Sequence, residues 1–336
     1  MTATLDTSRK PRLALIFGDP AGVGPELVAK QLARPETYEA ADLVLISDEQ
    51  ELADAMTDAG VTFAYTTTDE PGLPRLIDNS AERPVPTFVR RESTKEGGDW
   101  VLANFRTAFA LAKAGEVDGI VFAPLNKFSL HLAGMPGNDE MEWFQTVLDD
   151  GSSATELNIL PELTTGRVTS HVSLAEVSDL ITVERIVERG LLLNDVLIAD
   201  GHAAPRIGVC ALNPHAGENG KFGRHEIDII TPAVAALVER GVVATGPFPC
   251  DTIFIAAQRG EFDGILTMYH DQGQIAMKLI GFDRGVTMAG GLSVPVCTPA
   301  HGTAFGIVGQ GKANTGAYER AFEVACRVAA RNTQTR

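Results

Sequence analysis

Short apolar runs that stop abruptly at glycine, proline or histidine, each followed by helical periodicity, constrain this 336-residue chain more than any other feature. Leu13–Phe17, Leu43–Ser47, Gly119–Ala123, Arg206–Cys210 and Gly264–Met268 are too short for helices and too continuously apolar for strands with one wet face. They read as strands buried on both sides. Among them, Asp48–Ala59, Asp99–Ala114, Thr182–Val196, Glu226–Arg240 and Asp251–Arg259 carry the pattern of amphipathic helices. Strand–helix alternation of this kind predicts an α/β fold with a largely parallel sheet. Further strands are expected at Val61–Tyr65 and Arg167–Ser170. Residues 66–94 hold four prolines, Pro71, Pro74, Pro84 and Pro86, and read as a surface excursion, because the strand–helix pattern resumes afterwards without a change in composition.

Composition narrows the partners. The chain is 44% hydrophobic and 21% charged, with 28 basic and 44 acidic side chains and a formal net charge of −16. Such an acidic surface offers no footprint for nucleic acid or an anionic membrane, so an anionic substrate must be met by a local cation cluster or a metal. Cys210, Cys250, Cys297 and Cys326 lie 40, 47 and 29 positions apart, which excludes a zinc-type CxxC pair and a dense disulfide framework and points to a reducing compartment. The longest early apolar run, Leu13–Phe17, is far short of a secretory or membrane-spanning segment. A cytoplasmic enzyme acting on a small molecule is the expectation.

Three histidines follow expected buried strands: His171 in Thr169-Ser170-His171, His215 in Asn213-Pro214-His215-Ala216-Gly217, and His270 in Tyr269-His270-Asp271-Gln272-Gly273. Open α/β sheets place their sites at the C-terminal ends of strands, and three imidazoles leave coordination positions on a divalent metal open for substrate. Asp251 and Asp271 offer carboxylates to such a centre. The alternative is that each histidine caps a strand or satisfies a carbonyl. His131, His202 and His225 read as ordinary surface groups. Gly18-Asp19-Pro20-Ala21-Gly22-Val23-Gly24-Pro25-Glu26 is either an anion-facing turn or a tight structural one; it is neither a P-loop nor a GxGxxG fingerprint. The run His301-Gly302-Thr303-Ala304, continuing through Gly309–Asn314, has the backbone access and polar edges that suit an adenine and ribose, or is a plain loop. Lys278, eight residues after His270, is a proton donor or acceptor near the metal, or a solvated lysine.

In these same motifs the chain resembles the 4-hydroxythreonine-4-phosphate dehydrogenase family of vitamin B6 synthesis, related in fold to isocitrate and isopropylmalate dehydrogenases. The matching segments are GDPAGVGPE at 18–26, APLNK at 123–127, SHVSL at 170–174, LNPHAGE at 212–218, DTIF at 251–254, YHDQG at 269–273, and HGTA with GQGKA at 301–304 and 309–313. The resemblance implies two α/β/α domains with a cleft between them. Residues 1–135 with 285–336 would form an outer domain with the cofactor loop, and 136–284 a central domain with the metal site and dimer contacts. It also implies a homodimer with shared active sites and NAD or NADP bound by His301, Gly302, Thr303, Ala304 and Asn314. A divalent ion (Zn, Mg, Mn or Co) would be held by His171, His215 and His270.

On the substrate side the sequence departs from the family. Where the family has Gly-His-Thr-Glu, this chain has Asp139-Glu140-Met141-Glu142, and the family's later Asn and Arg contacts fall on Thr287 and Val296; only the lysine, Lys278, is retained. Each charge-assisted bond lost to a phosphate is worth roughly 1.5–3 kcal/mol. The expected activity is therefore oxidation of a secondary alcohol β to a carboxylate, followed by decarboxylation. Its substrate is expected to be a non-phosphorylated hydroxy acid or cis-dihydrodiol carboxylate, with Lys278 and Asp251 moving protons. The alternatives are a true 4-hydroxythreonine-4-phosphate, 4-phospho-threonate or 4-phospho-erythronate dehydrogenase, and a His₃-metal hydrolase or lyase that uses no nucleotide.

Overall fold

The computed structural model describes residues 9–335 apart from 138–139, 150, 152–153 and 282–283. The chain forms two compact units, one made of residues 1–154 and 292–336 and the other of 155–291.

In the first unit the apolar runs become strands β1 (Arg12–Ile16), β2 (Asp42–Ser47) and β4 (Gly119–Phe122), with β3 (Arg75–Asp78) added at the edge of β2. The helices are α1 (Gly24–Leu32), α2 (Pro35–Ala40), α3 (Glu49–Ala59), α4 (Lys95–Lys113), α5 (Lys127–Leu132) and α6 (Glu140–Leu148). The expected strand Val61–Tyr65 does not form. The edge of β2 is taken by Arg75–Asp78 instead, paired in register with Val44–Ser47, so the proline-rich excursion contains the strand that its own composition concealed. Helix α4 starts four residues earlier than expected because the Thr94 hydroxyl accepts the Gly97 N–H at 3.0 Å and caps it. Helix α6 packs Trp143 and Phe144 against Phe105, Phe109 and Phe122, with ring centroids 5.0–6.4 Å apart. This aromatic cluster carries the first unit to residue 154, beyond the expected boundary at 135.

The second unit contains β5 (Thr155–Ile159), β6 (Thr164–Arg167), α7 (Leu174–Leu180), α8 (Val183–Ala199), β7 (Arg206–Cys210), α9 (Thr231–Glu239), β8 (Val243–Phe248), α10 (Cys250–Gln258), β9 (Gly264–Thr267), α11 (His270–Gly281) and β10 (Val286–Gly290). Its strand order is β10-β5-β6-β9-β7-β8, antiparallel at β10–β5 and β5–β6 and parallel elsewhere. Leu160, Leu163, Cys210, Ile253, Phe254, Ala257, Ile265 and Met277 form one buried cluster in it. The strand expected at Arg167–Ser170 ends at Arg167. Beyond that point the N–H groups of Val168 and Thr169 still bond the carbonyls of Thr267 and Met268 before the chain turns out at His171. The chain then returns to the first unit through β11 (Val296–Pro299), parallel to β4, and α12 (Gly316–Thr335), completing the sheet order β3-β2-β1-β4-β11. The α/β class read from the alternation is the observed class.

Candidate active site

In the second unit two of the three motif histidines meet. His171 follows β6 and His270 opens α11; their ring centroids are 5.6 Å apart and tilted by 44°. They open into a cavity of ≈ 260 Å³ lined also by Ser170, Tyr269 and Asp271. Asp271 Oδ1 lies 2.7 Å from Nδ1 of His270. A carboxylate there accepts the Nδ1–H of the ring, the arrangement found behind metal-ligating histidines. Two such imidazoles suit a borderline divalent ion. Among the described residues no three His, Cys, Asp or Glu side chains converge to hold one.

His215 sits elsewhere, exposed on the turn after β7, with its ring centroid 6.2 Å from that of Phe222. Its backbone is unusual. From His215 to Gly220 every φ is positive, at 52, 53, 77, 45, 56 and 92°. Left-handed conformations cost L-residues roughly 1–2 kcal/mol each, and Glu226 fixes the two residues that lead into the turn. Its buried carboxylate accepts the N–H groups of Leu212 (2.9 Å) and Asn213 (2.7 Å) and the Asn213 side-chain amide (3.0 Å). Burial works against its ionisation, but the Asn213 amide and backbone donors outweigh that and hold it below the usual carboxylate range. The motif reading missed Glu226; the available signal was a charged residue opening an otherwise apolar helical stretch. His225, read as a surface group, is half-buried and bonds Ser178 at 2.9 Å. His131 is exposed and His202 half-buried.

Lys278 is exposed on α11, eight residues and so about 12 Å along the axis from His270, and Asp251 is exposed in the first turn of α10. Neither lines the cavity. Thr287 is half-buried on β10, with the Asn158 amide 3.4 Å from its hydroxyl.

In the first unit, Glu140 and Met141 open α6, and Glu140 is ion-paired at 3.3 Å with Lys127 of the APLNK motif. Asp139 lies outside the described residues. Val296 is only 1% exposed within β11, and so belongs to the packed sheet.

The two glycine-rich motifs of this unit, read separately in the sequence, form one assembly. Val23 donates to the Thr303 carbonyl at 3.0 Å, and a Cβ on Gly22 would lie 2.8 Å from Thr303 Cβ. At the far end of the loop the buried Glu26 carboxylate accepts Ala313 N–H (2.8 Å) and Lys30 Nζ (2.7 Å). Lys30 also donates to the carbonyls of Gly311 and Ala313. The 18–26 segment thus clamps the 301–313 loop. The loop has features that fit a flat nucleotide. Nothing occupies the space beside Gly302 or Gly306, Ala304 is left-handed, and His301 Nε2 is buried without a partner among the described residues. Asn314 Oδ1 is already engaged, bonding Gly316 N–H at 2.9 Å at the start of α12.

Over residues 39–325 the sequence matches the family described as pyridoxal phosphate biosynthetic protein PdxA. A Pseudomonas aeruginosa protein provisionally named 4-hydroxythreonine-4-phosphate dehydrogenase 2 is 50% identical over 326 residues, 95% of this chain and 97% of its own length. The solved 4-hydroxythreonine-4-phosphate dehydrogenase from Burkholderia phymatum superposes with a TM-score of 0.76 at 33% identity, over 96% of this chain and 99% of that one. The terephthalate 1,2-cis-dihydrodiol dehydrogenase from Burkholderia xenovorans gives 0.68 at 25% identity, over 94% and 98%. With a family match over most of its length and relatives that carry dehydrogenase names, the chain belongs to the pyridoxal phosphate biosynthetic protein PdxA family.

Proposed function

We propose that the protein is a metal- and NAD-dependent dehydrogenase that oxidises a secondary alcohol β to a carboxylate, with loss of carbon dioxide. The carrying observation is the His171–His270 pair with Asp271 behind one ring, a half-built metal centre facing a substrate-sized cavity. His215 is the third ligand in this reading. Its exposed turn suits a site completed across a homodimer, as do the exposed apolar side chains of Leu174 (72%), which lines the cavity, and of Ile275 (59%) and Leu279 (83%) further along α11. When bound, a divalent ion supplies Lewis-acid stabilisation and the nicotinamide accepts the hydride. The chain's own residues do the remainder. The 301–314 loop seats the nucleotide, Asp271 orients His270, and Lys278, with Asp251, takes the hydroxyl proton and returns one to carbon after decarboxylation. In a dimer these two exposed side chains serve the histidines of the other subunit.

The substrate is a non-phosphorylated hydroxy acid or cis-dihydrodiol carboxylate. Of the positions at which the family holds phosphate, Glu140 is an acid neutralised by Lys127, and Val296 is buried in the sheet. The names of the relatives favour a second reading, a phosphate ester. Steady-state NAD reduction decides between them. Turnover of hydroxy acids or dihydrodiols without comparable turnover of 4-phosphohydroxythreonine is expected. A kcat/KM for the phosphate ester of about 10⁴ M⁻¹s⁻¹ or more overturns the substrate assignment.

A further inference from the structure

One face of the second unit's sheet carries a polar set that the motifs do not include. Glu156 and Asn158 alternate on β5. The strand register sets Thr165 of β6 and Thr287 of β10 beside Asn158, and Arg167 follows Thr165 on the same face. Gln274, four residues after His270 on α11, reaches the same group. Arg167 is only 4% exposed, and its Nη2 donates to Glu156 Oε1 at 2.8 Å and to Asn158 Oδ1 at 2.6 Å. Asn158 Nδ2 and Gln274 Nε2 also donate to Glu156 Oε1, at 2.9 and 3.2 Å.

Oε1 of Glu156 is therefore saturated by three donors. Among the described residues Oε2 receives none, and the side chain keeps 14% of its surface. Burial opposes the charge on Glu156, but Arg167, the Asn158 amide and the two cavity histidines outweigh it and hold the carboxyl below its ordinary range. Arg167 Nη1 is buried with no acceptor among the described residues. The set thus lacks a donor at one end and an acceptor at the other. A hydroxyl group carries both functions, whereas a phosphate or second carboxylate offers only acceptors and is repelled by Glu156.

We propose that Glu156, positioned by Arg167, Asn158 and Gln274, is a specificity-determining residue that accepts a hydrogen bond from the substrate hydroxyl adjacent to the one oxidised. The substrate class is then an acid bearing a vicinal diol. This rests on the dehydrogenase reading above.

The test compares 2,3-dihydroxybutyrate, 3-hydroxybutyrate and threonine as substrates of the full-length enzyme with Mn²⁺ and NAD. The variants are Glu156→Gln and the paired Glu156→Leu/Arg167→Met, which avoids leaving a buried cation alone. Thermal melts confirm that each is folded. Wild type should prefer the diol over 3-hydroxybutyrate by at least about tenfold in kcat/KM, as sites built to bond a hydroxyl do. The ratio should fall toward one in the double variant, mainly through KM. Equal use of the two acids by wild type, a preference for threonine, or an unchanged ratio in both variants overturns the role of Glu156 while leaving the dehydrogenase reading intact. If wild type neither oxidises nor, by calorimetry, binds any of the three, both readings fall together.

Discussion

The Asp271 carboxylate lies 2.7 Å from Nδ1 of His270, its neighbour in sequence at the start of α11, and so decides which ring nitrogen is available to the cavity. Replacing Asp271 by Ala leaves the ring in place but frees its tautomer. Affinity for Mn²⁺ or Zn²⁺, measured by titration of metal-free protein, should drop 10–100-fold, the usual effect of removing such a partner. His270→Ala should lose more. An unchanged affinity in Asp271→Ala would rule out His270 as a ligand.

Gly22 has no room for a side chain, since a Cβ would lie 2.8 Å from Thr303 Cβ and 3.0 Å from the Thr303 carbonyl. Gly22→Ala should displace the 301–304 loop. The expected outcome is weaker NAD binding by calorimetry with metal binding unchanged, because the histidines belong to the other unit. Equal NAD affinity in variant and wild type would detach the cofactor from this loop.

Glu51 is fully buried, with the Ser47 hydroxyl at 2.5 Å and Trp100 Nε1 at 3.2 Å, and burial pushes its carboxyl up from 4.5 to about 7. A raised carboxyl favours the protonated native state. Its contribution to stability is therefore complete below about pH 4.5 and is lost as pH rises through about 7. The midpoint for unfolding of wild type should fall between pH 5 and 8 by more than that of Glu51→Gln, in which this titration is absent. Parallel profiles for the two proteins would place the pH dependence elsewhere.

Leu279 is 83% exposed on the same helix as His270. On the proposed homodimer, Leu279→Lys should shift the sedimenting species from dimer to monomer and reduce activity with it, since the proposed shared site needs both subunits. A wild type that sediments as a monomer at micromolar concentration would remove the shared site from the mechanism.

The alternation of short apolar runs with amphipathic stretches was enough to identify the α/β class, because strand burial and helix periodicity are properties of neighbouring residues. Arg206–Cys210 was read with both ends correct, and Gly264–Met268 to within one residue. The His-Asp pair at 270–271 was legible for the same reason: its two members are adjacent in the chain. Partnerships between distant segments were not. Arg75–Asp78 has only two apolar residues, Leu76 and Ile77, between its charged ends and became a strand because β2 offered it an edge, while Val61–Tyr65, better by propensity, pairs with no strand among the described residues. Glu26 reaches a backbone amide 287 residues away, Gln274 reaches Glu156 across 118, and Glu226 accepts the Asn213 N–H that leads into the turn of His215. Buried carboxylates at these places are stable only where the tertiary fold collects enough donors around them, and the chain sequence does not state that collection locally. The local periodicity of the sequence determined the layers; long-range pairing decided which charged side chains lie inside them.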